Sequence, residues 1–213
     1  MILVIDLDGT LISDEVVQKI YREAYIETLK IMRERCIEIQ DEFSSHGFEN
    51  YCKVAERYEE FKEIYKIIYP KTMEKYIDDV RRERGRARSI YYYLVNQYNP
   101  KYVYILTANP KGDAIISEIL PEIPREDIII VDGIKYIENK KKVLKNLRKL
   151  GEVLYLADMD DIDRPAAEEA GVDYCNVETI IEELKEKEKD PYDTKVILLS
   201  QTKVKSPFEY NSL

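Results

Sequence analysis

The 213-residue chain has no tryptophan, one histidine (His46) and three cysteines, Cys36, Cys52 and Cys175. The cysteines stand alone, without Cys-x-x-Cys spacing. With one histidine they make a poor zinc set, and unpaired cysteines fit a reducing compartment. No apolar run approaches the ~18 residues of a membrane span, and no basic segment precedes the short apolar start, so a cytosolic protein without a membrane partner is expected. Basic charge is also in deficit. A net charge of −9 argues against general nucleic-acid binding, although a local basic patch could still meet an anion. At 45% hydrophobic and 35% charged, the composition is that of a globular chain, long enough for one buried domain and a smaller one.

What is present begins at the first residues. Ile2-Leu3-Val4-Ile5 is an unbroken apolar run that ends on Asp6-Leu7-Asp8-Gly9-Thr10. Loss of alternation marks a strand buried on both faces. Asp6 and Asp8, two apart, can converge at its carboxyl end, where open α/β sheets bind ligands. An Asp-Gly turn alone would explain the pair equally well.

Helical spacing follows from Ser13, a candidate N-cap, through Val17, Ile20, Tyr21, Ala24, Tyr25, Leu29, Met32 and Cys36. After the polar stretch 43–48, a second helix runs from Tyr51 through Ile68 and is expected to stop at Pro70. A third carries Tyr76, Ile77 and Val80. Residues 14–83 therefore read as a helical insertion after the first strand. From Gly85 onward helices alternate with strands: 102–107, 128–131, 153–157 and one near 174–177, with helices at 110–120, 140–150, 165–170 and 178–189 between and after them. That order implies α/β architecture, a doubly wound parallel sheet with helices on both faces. Residues 191–213 form a tail with one apolar patch, Val196-Ile197-Leu198-Leu199.

Three more strand ends carry chemistry-bearing residues. Thr107-Ala108-Asn109-Pro110 puts a hydroxyl beside what reads as an N-cap and N1 pair, and a helix N-terminus attracts anions. Asp158-Met159-Asp160-Asp161-Ile162-Asp163 places four acids in six residues, a set that repels itself without a cation. Hard cations such as Mg²⁺ take such carboxylates together with phosphate oxygens. Lys140-Lys141-Lys142, and Lys135 before them, offer a cation for a phosphoryl group.

Taken together, these residues resemble the haloacid dehalogenase (HAD) superfamily in its phosphatase branch. Its Asp-x-Asp-Gly-Thr motif is met at Asp6–Thr10, its strand-then-threonine motif at Tyr104–Thr107, its lysine in the interval around Lys140, and its spaced late acids at Asp158 and Asp163. The resemblance covers residues 1–13 and roughly 84–178, and Ala157 stands where that family usually has glycine. It implies a core of 1–13 and 84–190 with a cap at 14–83. Asp6 would be the nucleophile, Asp8 the general acid and base, and Thr107 and Lys140 the phosphoryl clamps. Gly9, Thr10, Ala108 and Asn109 would lie against the phosphate. Mg²⁺ would sit on Asp6, the Asp8 main-chain carbonyl, Asp158 and Asp163, with Asp161 as a competing ligand. The expected activity is hydrolysis of a small phosphorylated metabolite. A phosphotransferase or mutase, a nucleotide or nucleic-acid-end phosphatase, and a non-catalytic binding module are the alternatives. Within the insertion, Ser44-Ser45-His46-Gly47 is a candidate for specificity. The arginine-rich return 81–88 is a candidate for an anionic substrate, or simply a solvated linker.

Overall fold

The computed structural model describes residues 1–39 and 47–188. The candidate residues Ser44 to His46 and the tail patch 196–199 lie outside that range. The first strand, β1 (Ile2–Ile5), is buried along its whole length and sits at the centre of a five-stranded parallel sheet. Its neighbours are β2 (Tyr102–Thr107) and β4 (Val153–Ala157), with β3 (Ile128–Ile130) and β5 (Asp173–Asn176) at the edges, in the order β3-β2-β1-β4-β5. Strand periodicity sends Leu3 and Ile5 to one face and Ile2 and Val4 to the other, and each face meets its own apolar layer. Ala87, Ile90 and Leu94 of α5 (Arg84–Tyr98), Ile115, Ile116 and Ile119 of α6 (Gly112–Ile119), and Ile180 of α9 (Val177–Glu188) cover the first. Leu144 and Leu147 of α7 (Tyr136–Arg148) and Ala167 and Ala170 of α8 (Asp163–Ala170) cover the second. The result is an α/β fold consistent with a Rossmann-like core. Strand order reverses between β1 and β4, and a crevice at such a switch point is where open α/β sheets bind ligands.

Between β1 and β2 the chain forms α1 (Asp14–Glu34), α2 (Gly47–Arg57), α3 (Glu59–Lys75) and α4 (Ile77–Arg82). Their buried stripe includes Ile20, Tyr21 and Tyr25 of α1, Val54 of α2, and Phe61, Tyr65 and Tyr69 of α3, and joins the first core layer. Two features of the insertion differ from the sequence expectation. The expected 51–68 helix is two helices that break at Tyr58, whose backbone is extended. The apolar spacing runs through that break, so periodicity could not locate it. Pro70 lies inside α3 instead of ending it. An interior proline costs about 3 kcal/mol, but Tyr69, Thr72 and Met73 are buried around it, and burying such side chains offsets a cost of that size. Among the described residues, no helix is long and apolar enough to cross a membrane.

Both crossings between the sheet and the helical insertion are fastened. Ser13 does occupy the N-cap of α1, but its hydroxyl makes no capping bond. Instead its backbone N–H donates to Glu83 Oε2 at 2.8 Å, tying the outgoing crossing to the returning one. Arg86 donates from Nε to the Thr10 carbonyl and from Nη2 to the Gly9 carbonyl, both at 3.1 Å.

Candidate active site

The acids after β1 are aimed by a tight turn. The Leu7 carbonyl accepts from the backbone of Thr10, Leu11 and Ile12, and Gly9 supplies a φ of +76°. A β-carbon on Gly9 would lie 2.1 Å from Asp158 Oδ2, so only glycine lets this turn rest against the end of β4. Asp6 is 4% exposed. Its Oδ1 accepts from Leu7 N at 2.8 Å and its Oδ2 from Lys140 Nζ at 2.6 Å. Lys140 also donates to Tyr155 Oη at 3.2 Å, and Tyr155 donates on to Asp163 Oδ1 at 2.9 Å. Carboxylate oxygens of Asp6, Asp158 and Asp163 all fall within 4.8 Å of one another.

Electrostatics follow from this crowding. Burial, the charge of Asp163 and that of Asp158 push the Asp6 carboxyl up to about 8, against the pull of Lys140. Burial and Asp163 push Asp158 up to about 6. Opposing its own burial, Lys140 is held above its ordinary value by Asp6 and Asp163. Three acids with one ammonium remain short of positive charge, and a divalent cation is the species whose chemistry suits that oxygen set. The donor set therefore fits Mg²⁺, and fits other hard divalent cations equally.

Asp8 lines the same cleft but lies outside the three-acid group. Asn109 Nδ2 donates to its Oδ1 at 3.0 Å, and Tyr21 Oη donates to its Oδ2 at 3.1 Å. Its carboxyl is pushed up to about 6 by burial, and these two donors pull it down. Desolvation, rather than the nearby charge of Asp6, is the main cause. The carboxylate that does contribute is Asp14.

One cleft is lined by Asp6, Asp8, Thr107, Ala108, Lys140, Asp158 and Asp163. Its cavity is about 70 Å³, where a single water needs roughly 10–15 Å³, so it has room for a group the size of phosphate. The remaining expected residues lie behind it. Thr10 is fully buried, and its Oγ1 has no hydrogen-bond partner among the described residues. Asn109 is not an N-cap: α6 starts at Gly112, with Lys111 in the cap position. The Asn109 side chain is spent on Asp8, on the Lys111 N–H and on Tyr69 Oη, because a buried amide must satisfy all its groups. Thr107 Oγ1 accepts from Asn109 N at 3.0 Å.

Among the lysines, Lys140 alone is buried at the cleft. Lys135 and Lys142 are exposed, and Lys141 pairs with Glu138 and Glu169. α7 begins at Tyr136, so Lys140 sits in its second turn rather than opening the helix. Asp161 is exposed and outside the three-acid group. The arginine-rich return is largely solvent-exposed and makes contacts within the protein. Arg81 bonds Glu118 and Asp78, Arg82 bonds Asp79, Arg84 bonds the Glu118 carbonyl, and Arg86 holds the turn after Asp8.

Sequence reasoning missed Tyr155, Tyr21, Asp14 and the clamp made by Arg86. For Tyr155 a signal exists: a hydroxyl in a strand buried on both faces must find a partner. Nothing local marks the others, which are assembled by the insertion folding back.

The class these features define is a parallel α/β protein with an acid-and-lysine cleft at the carboxyl edge of its sheet. Comparison with family models, with curated proteins and with solved structures gave no match.

Proposed function

We propose that the chain is a Mg²⁺-dependent phosphatase of the HAD type that hydrolyses a phosphate monoester of a small metabolite, with residues 14–83 as its cap. The observation that carries this reading is Lys140 bonded to Asp6 beside the three-acid cluster, with Asp8 facing the same cleft. A receptor for an anion would have no use for four carboxylates there. A nucleophile, a cation and a proton carrier account for them together.

Asp6, Asp158 and Asp163 would hold the ion, with the Asp8 carbonyl as a further oxygen. When bound, it would neutralise phosphoryl charge and keep Asp6 ionised despite its burial. A carboxylate oxygen of Asp6 attacks phosphorus, and the ester P–O bond breaks. Asp8 gives its proton to the leaving oxygen. Water then attacks the phospho-aspartate, Asp8 takes the water's proton, the Asp6–phosphorus bond breaks and phosphate leaves. Lys140 and Thr107 steady the transferring oxygens, where charge stabilisation does most of the work.

The test is p-nitrophenyl phosphate hydrolysis with Mg²⁺, with EDTA, and in the Asp6→Asn variant. Phosphate release that needs Mg²⁺ and vanishes in the variant supports the reading, and without an acceptor it also excludes a strict transferase. Activity that survives the substitution overturns it.

A further inference from the structure

A second cavity, about 350 Å³, lies between α3 and the ends of β2 and β3. It is larger than the acid cleft and within the size range of small-molecule sites. Tyr51, Tyr65 and Tyr69 line it from the insertion, and Pro110, Ile130 and Val131 from the carboxyl edge of the sheet. The tyrosines form a stacked series, with ring centroids 4.2 Å apart for Tyr51–Tyr65 and 5.7 Å for Tyr65–Tyr69. The Tyr65 hydroxyl is buried and has no hydrogen-bond partner among the described residues. Buried hydroxyls are costly unless satisfied. Three ammonium groups and one carboxylate, Asp132, whose Oδ1 accepts from Ile134 N, also line the cavity. Lys62 and Lys66 carry partners one turn away in Glu59 and Glu63, weak pairs that an incoming anion can replace. Lys111 is half-buried and carries no ion pair among the described residues.

We propose that this cavity is a second ligand site, for a planar aromatic anion. The tyrosine and aliphatic lining takes the ring, Lys111 the negative charge, and the Tyr65 hydroxyl a polar atom of the ligand. It adjoins the acid cleft. Ala108 borders both. Tyr69 Oη donates to Asn109 Oδ1 at 3.0 Å, and Asn109 holds Asp8. An occupant would therefore press on the side chain that positions Asp8. The ring could belong to the leaving group of a phosphate ester or to a separate molecule.

The experiment is calorimetric titration of the full chain with 2-naphthoate, which has no phosphoryl group, in the wild type and in Lys111→Glu and Tyr65→Phe. No turnover is involved, so failure of the phosphatase reading leaves this result standing. The expected outcome is one-to-one binding, weakened about tenfold in Lys111→Glu and several-fold in Tyr65→Phe. Tyr65→Phe keeps the shape and removes a hydroxyl that bonds nothing among the described residues, so the fold is expected to be kept. Absence of wild-type binding, binding indifferent to both substitutions, or equal binding of cyclohexanecarboxylate would overturn the proposal. Where binding is found, competitive inhibition of 1-naphthyl phosphate hydrolysis assigns the ring to a leaving group. Non-competitive inhibition assigns it to a separate ligand.

Discussion

Replacing Tyr155 with phenylalanine isolates the least obvious element of the cleft. The side chain is fully buried, and its hydroxyl accepts from Lys140 at 3.2 Å while donating to Asp163 at 2.9 Å. Phenylalanine keeps the packing and removes both bonds. Hydrogen bonds to charged groups contribute about 1.5–3 kcal/mol each. Lys140 keeps its 2.6 Å bond to Asp6, with Asp163 still 3.6 Å away, so part of the loss is recovered. A net destabilisation of about 2 kcal/mol is expected, which lowers Tm by roughly 4–8 °C for a chain of this size. Asp163 also loses the donor that orients it, and losing such a support weakens metal binding by about 10–100-fold. Thermal unfolding by circular dichroism in EDTA reads the first effect, and Mg²⁺ titration of Tm reads the second. A variant with unchanged Tm and unchanged Mg²⁺ response would refute the relay from Lys140 through Tyr155 to Asp163.

Gly9→Ala should cost more than about 2 kcal/mol and depress turnover, because it combines a left-handed backbone with a β-carbon driven into Asp158; urea unfolding checks it. In the metal-free chain, Asp6, Asp8 and Asp158 all have raised pKa values, up to about 8, 6 and 6. Their contribution to stability is fully present below their unfolded values near 4 and is lost as pH rises through 6 to 8. EDTA-treated protein should therefore lose stability across that window, and Mg²⁺ should restore more at pH 8 than at pH 5. A flat difference in Tm would contradict the three-acid ion site. Asn109→Ala removes a donor that favours ionised Asp8, so the alkaline limb of kcat should move to higher pH. A limb left in place would show that Asp8 does not carry the proton.

The sequence was most readable where one constraint dominated. β1 shows itself because burial on both faces removes alternation, and α5 ends at Asn99, in left-handed backbone before Pro100, as the Asn-Pro pair implies. Helix breaks inside the insertion were less readable. At Tyr58 no residue type signals a stop, and at Pro70 tertiary burial overrode a strong local one. In the cleft, residue types pointed to a lysine without choosing among four. Choosing needed the phase of α7, which begins four residues before the expected start and turns Lys140 inward. Asn109 looked like a cap because the pair Asn109-Pro110 has that form. Of its side-chain bonds, only that from Lys111 N is local; its other partners, Asp8 and Tyr69, are 101 and 40 positions away, beyond the reach of local pattern.

The measurement closest to the central claim is acid-quenched single turnover with Mg²⁺, followed by mass mapping of the phosphorylated peptide. The account predicts one phosphoryl group on Asp6, formed and lost within a turnover, and absent from Asp6→Asn. A phosphoryl group on another residue, or product formed with no labelled protein at any time, would contradict it.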